Sequence, residues 1–176
     1  MDLLIFWDEA APRGIQSAFS RDLESLLPII PRVCDSHVVV NGFIPSRRQT
    51  NATALLDSLD LYKKRSGKKD LVLLVVSDDL CRTGDEYLFG LSRPSTGNAV
   101  VSTARLDNEF YGQPARDEDL IDRLVKESAH EVGHLLGLAH CRNPECIMYN
   151  PLLLEDISRQ KRWFCPKCQE NLNSFE

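Results

Sequence analysis

The stretch His130-Glu131-Val132-Gly133-His134-Leu135-Leu136-Gly137-Leu138-Ala139-His140 holds three of the four histidines in the chain. On a helix, His130 and His134 lie one turn apart and project from one face, so both imidazoles can reach a single ion. Zinc takes tetrahedral ligands at roughly 2.0–2.1 Å and, at a catalytic site, leaves one position for water. A third ligand is therefore wanted from beyond the helix. Gly137 can adopt the left-handed conformation that ends a helix and turns the chain sharply. His140 then swings back to the metal. Glu131 points slightly off the shared face, where its carboxylate can take a proton from water whose pKa zinc lowers toward roughly 7. Attack on a zinc-polarised carbonyl, with Glu131 passing the proton to the leaving amine, is amide hydrolysis. A bare His-Glu-x-x-His arises by accident in helices, whereas the form with the glycine and the third histidine both placed rarely does.

Working outward, the helix that carries this stretch is expected from Asp117 to about Leu136, after Pro114, with Leu120, Ile121, Leu124, Val125 and Ala129 as its buried face. Residues 2–7 read as a buried strand. Ile15, Phe19, Leu23, Leu26 and Leu27 share one face of a helix that Pro28 and Pro31 end. Val33–Val40 reads as a second strand, and Asn51–Lys64 as a helix closed by Gly67. The aliphatic run Leu71–Val76 is a central strand covered on both faces. Tyr87–Leu91 and Ala99–Leu106 read as two further strands joined by a turn containing Pro94 and Gly97. The pattern predicts an α/β (α+β) fold, a mixed twisted sheet with helices packed on it. The expected division is an N-terminal lobe, 1–137, ending with the active-site helix, and a small C-terminal lobe, 138–176, the two together forming one catalytic domain.

The last 39 residues hold four of the six cysteines. Cys141-x4-Cys146 with Cys165-x2-Cys168 has the spacing of a closed four-thiolate zinc site, structural rather than catalytic. Disulfides or free thiols are the plainer readings, and a nucleic-acid-binding zinc ribbon is a rival that the acidic chain opposes. Clamping Cys141, next to His140, and Cys146 would fix the third ligand relative to the helix. Two zinc ions per chain, one catalytic and one structural, are therefore expected. Cys34 and Cys81 read as buried thiols, and His37 is given no role.

The net charge of −5, from 21 basic and 26 acidic residues, argues against a nucleic-acid partner. The run Lys63-Lys64-Arg65 with Lys68-Lys69 reads as a solvated helix end. No signal peptide or membrane span is visible, so a cytoplasmic, monomeric protein is expected. Cysteines in that compartment serve as thiols or metal ligands.

The extended histidine motif, Cys141, Cys146-Ile147-Met148 and Cys165-Pro166-Lys167-Cys168 together resemble the archaemetzincin branch of the metzincins, and Val100–Leu106 extends the likeness upstream. The resemblance implies a zinc peptidase with His130, His134 and His140 as ligands, Glu131 as base and Met148 as the floor beneath the metal. From the residues alone, Met148 is as readily core filler. A steadying role for Tyr149 on the oxyanion is weaker than simple packing. Glu127 reads as an exposed helix carboxylate sooner than a ligand-orienting one. By analogy with the family, Ala99–Leu106 is the sheet edge to which a peptide substrate adds, and Leu152–Leu154 walls the pocket. With no propeptide visible ahead of the domain, narrow substrate selection is expected. The alternatives are a zinc-stabilised peptide- or protein-binding module without catalysis, and a hydrolase of a non-peptide amide. Retention of Glu131 favours the peptidase.

Overall fold

The computed structural model describes residues 1–35 and 38–174. His37 lies outside them. Its main sheet has five strands: β1 (Asp2–Trp7), β2 (Ile30–Asp35), β5 (Leu71–Val76), β8 (Gly90–Arg93) and β9 (Asn98–Ser102), in the order β2-β1-β5-β9-β8. The first four are mutually parallel, and β8 returns antiparallel to β9. The aliphatic run Leu71–Val76 lies in the middle, buried on both faces as its unbroken apolarity requires.

Helices cover both faces. Helix α1 (Gln16–Glu24) and the long α3 (Asp117–Leu135) pack on one side, where Phe19, Leu23, Leu124, Val125 and Ala129 join Ile5, Leu73 and Val101 in one core. Helix α2 (Ala52–Ser66) covers the other face through Leu55, Leu56 and Leu59. Its start is capped by Asn51, whose side chain accepts from the backbone N–H groups of Thr53 and Ala54. Gly67, at φ +67°, ends it in the left-handed conformation expected of a helix stop. Three acids, Asp117, Glu118 and Asp119, open α3 where the helix dipole favours negative charge.

A second, smaller sheet joins β3 (Phe43–Ile44), β4 (Gln49–Asn51), β6 (Leu80–Arg82) and β7 (Asp85–Leu88). Strands β3, β4 and β6 are too short for a periodic signal and were not expected, whereas the expected strand Tyr87–Leu91 is split, Tyr87 and Leu88 ending β7 in this sheet and Gly90 and Leu91 opening β8 in the main one. The second strand runs over Ile30–Asp35 rather than Val33–Val40, because Pro28 ends the preceding turn early enough for Ile30 to pair with Asp2. Beyond α3, residues 138–153 carry no helix or strand among the described residues. They lead to α4 (Leu154–Arg159) and α5 (Pro166–Asn173). The proline at the first turn of α5 is where a helix tolerates it. Arg162 reaches Asp22 of α1 at 2.6 Å and Asp122 of α3 at 2.8 Å, docking the C-terminal segment on the helical layer. Among the described residues, no helix is long and apolar enough to cross a membrane.

Candidate active site and metal centres

Helix α3 ends at Leu135, and Gly137 takes φ +84°, so the chain turns back as its glycine requires. His130 is buried and His140 is exposed, with His134 between them. Each of the first two rings is fixed by its distal nitrogen. Nδ1 of His130 donates to the carbonyl of Ile147 at 2.8 Å, and Nδ1 of His134 donates to that of Leu138 at 2.8 Å. With the proton on Nδ1, both Nε2 atoms present bare lone pairs. They face each other 3.1 Å apart. Two lone pairs at that distance repel unless a cation lies between them. Tetrahedral zinc with bonds near 2.05 Å would separate two nitrogens by about 3.3 Å. One nitrogen from each of His130, His134 and His140 lies within 4.8 Å of the others. The donor set fits a zinc ion. Burial, and then the neighbouring His134, push His130 down to about pH 3, so it stays neutral and ligand-competent.

The four cysteines sequence reasoning grouped together do converge: Cys141, Cys146, Cys165 and Cys168 place their sulfurs within 4.8 Å of one another. Cys141 and Cys165 sulfurs are 3.7 Å apart, and none is disulfide-bonded. Zinc–sulfur bonds of 2.3 Å in a tetrahedron give sulfur separations of about 3.8 Å. The set therefore fits a four-thiolate ion. Burial and the adjacent sulfurs push the Cys168 thiol well up. Cys81 is buried as expected and Cys34 is half-buried.

Met148 is fully buried beneath α3. A Cβ added at Gly133 would fall 2.6 Å from its sulfur, so the glycine inside the motif allows helix and methionine to touch. Tyr149 pairs through its backbone with Cys141. A cavity of about 260 Å³ opens over the histidines, lined by Arg82, Tyr87 and Gly90–Ser92 on one side and Asn150–Leu152 on the other. Tyr149 is not in its lining, whereas Leu152 is, as expected of that segment. The Tyr87 hydroxyl donates to the Leu152 carbonyl at 2.5 Å, joining the two walls.

Two expectations need correction. The expected strand Ala99–Leu106 is β9 as far as Ser102 and a 3-10 turn over Ala104–Leu106; β9 is interior, and the sheet edge beside the cavity is β8. Glu127 is not exposed: it is 3% accessible, and one of its carboxylate oxygens has no hydrogen-bond partner. The cause is β8, which crosses α3 at Gly90. A Cβ there would meet Glu131 Cγ at 2.9 Å and Glu127 Oε1 at 3.0 Å. Glu127 and Glu131 thus form a buried carboxyl pair in the cavity wall. Burial raises Glu131 to about 7. Glu127 is pushed well up by burial and by the charge of Glu131.

Residues 25–174 match the family model for peptidase family M54. The chain belongs to that family, the archaemetzincins. An archaemetzincin of Thermococcus kodakarensis is 38% identical over 133 residues, 76% of this chain and 71% of that one. One of Pyrobaculum aerophilum is 42% identical over 127 residues, covering 72% and 73% of the two chains. Among solved structures, a zinc-dependent peptidase from Methanocorpusculum labreanum superposes with TM-score 0.92 at 38% identity, covering 97% of this chain and all of that one. The archaemetzincin of Methanopyrus kandleri gives 0.81 at 30% identity, covering 99% and 94%. As an archaemetzincin the chain is a zinc metallopeptidase, and its substrates are peptides or proteins.

Proposed function

We propose that this archaemetzincin hydrolyses peptide bonds in the cavity above His130, His134 and His140, with Glu131 as general base and then general acid. The observation that carries the reading is the pair of Nε2 lone pairs facing each other at 3.1 Å beside a buried carboxyl group. Held by the three histidines, zinc would supply Lewis-acid activation of the attacking water and of the scissile carbonyl. The chain's own residues do the rest. Glu131 accepts a proton from the attacking water as its oxygen bonds to the carbonyl carbon, then delivers that proton to the amide nitrogen as the carbon–nitrogen bond breaks. Its burial keeps the carboxyl pKa near the pH at which it must both take and give a proton. Strand β8, which among the described residues pairs with β9 alone, offers its outer backbone edge to an extended peptide. Leu152 lines the opposite side.

A second zinc held by Cys141, Cys146, Cys165 and Cys168 is read as structural. The cleft between residues 1–137 and 138–176 is read as the substrate channel of one catalytic domain. Met148 supports the metal helix from below. Tyr149, outside the cavity lining, is read as a packing residue. The test is a diverse peptide library incubated with the zinc-loaded protein and read by mass spectrometry, with Glu131→Gln as control. Cleavage that disappears in the variant while zinc stays bound supports the reading. Equal cleavage by both proteins would remove Glu131 from the mechanism.

A further inference from the structure

We infer that Gln160, at the C-terminal end of α4, is a positioning residue for the histidine metal site. The inference rests on the three-histidine reading above. The segment Ile147–Tyr149 passes beneath the metal helix without belonging to any helix or strand, so its carbonyl groups need partners from elsewhere. The Met148 carbonyl accepts from the backbone N–H of Cys141 at 2.7 Å. The carbonyls on either side both depend on one side chain. The Gln160 amide nitrogen donates to Ile147 at 3.2 Å and to Tyr149 at 3.0 Å. The Ile147 carbonyl is also the acceptor for Nδ1 of His130. Gln160 is thus one carbonyl away from a metal ligand, and it is 2% accessible.

The chemistry of this arrangement is specific. An imidazole that donates its distal N–H to a fixed carbonyl is held in one tautomer and one ring orientation, with the other nitrogen free for the metal. A carbonyl that could rotate would release both. The Ile147 carbonyl shares its peptide plane with the Met148 N–H, which turns to the Cys146 sulfur, while Gln160 and His130 hold the oxygen itself. A side chain with two amide hydrogens can bridge carbonyls two residues apart without bringing a charge into the buried site. An apolar residue of the same volume would fill the space and leave two buried acceptors short of a donor.

The experiment uses the full chain stripped of metal and reloaded with cobalt(II). Thiolate-to-cobalt absorption reports the cysteine site, and the ligand-field bands without thiolate character report the histidine site. Wild type must show both, and absence of the second would defeat the three-histidine reading itself. Gln160→Met removes both donors at similar volume, and Gln160→Glu keeps the shape but presents oxygens to the two carbonyls. The expected result is a cysteine site unchanged in spectrum and affinity, with cobalt affinity at the histidine site weakened on the order of 10–100-fold and its bands altered. Peptide turnover by the zinc-loaded variants is expected to fall in kcat with KM little changed. Either variant decides if the other fails to fold. An unaltered histidine site would overturn the inference, and so would equal damage to both sites or loss of the fold in both variants, which would mark Gln160 as a general structural residue.

Discussion

Substituting Gly133 by alanine sets two effects of known size against each other. In a helix interior alanine is better than glycine by about 1 kcal/mol, so an unencumbered site would gain that much. Here the new Cβ would fall 2.6 Å from the Met148 sulfur, 3.4 Å from its terminal methyl and 3.5 Å from a Leu138 methyl. Ordinary contact begins near 3.4 Å, so the sulfur must withdraw by about 0.8 Å from a side chain that is already fully buried. Overpacking of this kind costs about 1–3 kcal/mol. The expected net effect of Gly133→Ala is a loss of about 1 kcal/mol, or about 2–4 °C in Tm for a chain of this size. The decisive arm is the same change made in a Met148→Ala background, where the sulfur is gone and the helix preference should show as a gain. The double-mutant cycle is measured by urea denaturation at one fixed free-zinc concentration, because bound metal itself adds stability. A coupling of about 2 kcal/mol between the two sites is expected. A coupling below about 0.5 kcal/mol, or an alanine that stabilises the wild type, would refute the claim that this glycine exists to admit the methionine.

Two further outcomes follow from the site. The buried pair Glu127 and Glu131 both have folded-state pKa values above those of free carboxyls, so the folded, metal-free protein holds protons that the unfolded chain releases. The stability they contribute is full below pH ~4.5 and is lost as the pH rises through about 7. Metal-free Glu127→Gln should therefore exceed the wild type in stability at pH 8 by on the order of 1 kcal/mol, with the gap closing toward pH 4.5, as read by denaturant melts at both pH values. A gap independent of pH would mean that the pair does not share the burden of charge. Cys165→Ser should bring zinc content, measured by mass spectrometry of the metal, from two ions per chain to one, lower the Tm, and weaken the remaining site. Retention of two ions would disprove the four-thiolate reading.

The parts of the fold that were legible are those whose signal is local. Leu71–Val76 announced a strand buried on both faces, Asn51 and Gly67 marked the ends of α2, and Gly137 marked the end of α3. The convergence of the three histidines and of the four cysteines was legible because ligating one metal ion asks for such spacings. Strands β3, β4 and β6 were not, since at two or three residues they have no period and exist through pairing with other segments. Gln160 was invisible for the same reason, because its importance lies in two carbonyls more than ten residues away in sequence.

Glu127 is the instructive failure. Its spacing was readable: Leu120, Leu124, Glu127 and Glu131 fall at the four-three-four intervals of one helix stripe, which continues the buried face straight into the active site. A carboxylate on a helix is ordinarily solvated, which is why the sequence by itself reads Glu127 as exposed. The companion signal was Gly90, a glycine inside a strand, which marks close approach of another group. The two belong together. The two carboxyl groups sit directly under β8 because the strand has no side chain at position 90, and that strand is the sheet edge beside Glu131. A methyl group at position 90 would lie 2.9 Å from Glu131 Cγ and 3.0 Å from both Glu127 Oε1 and the Val100 carbonyl oxygen, so β8 could not keep its present distance from α3.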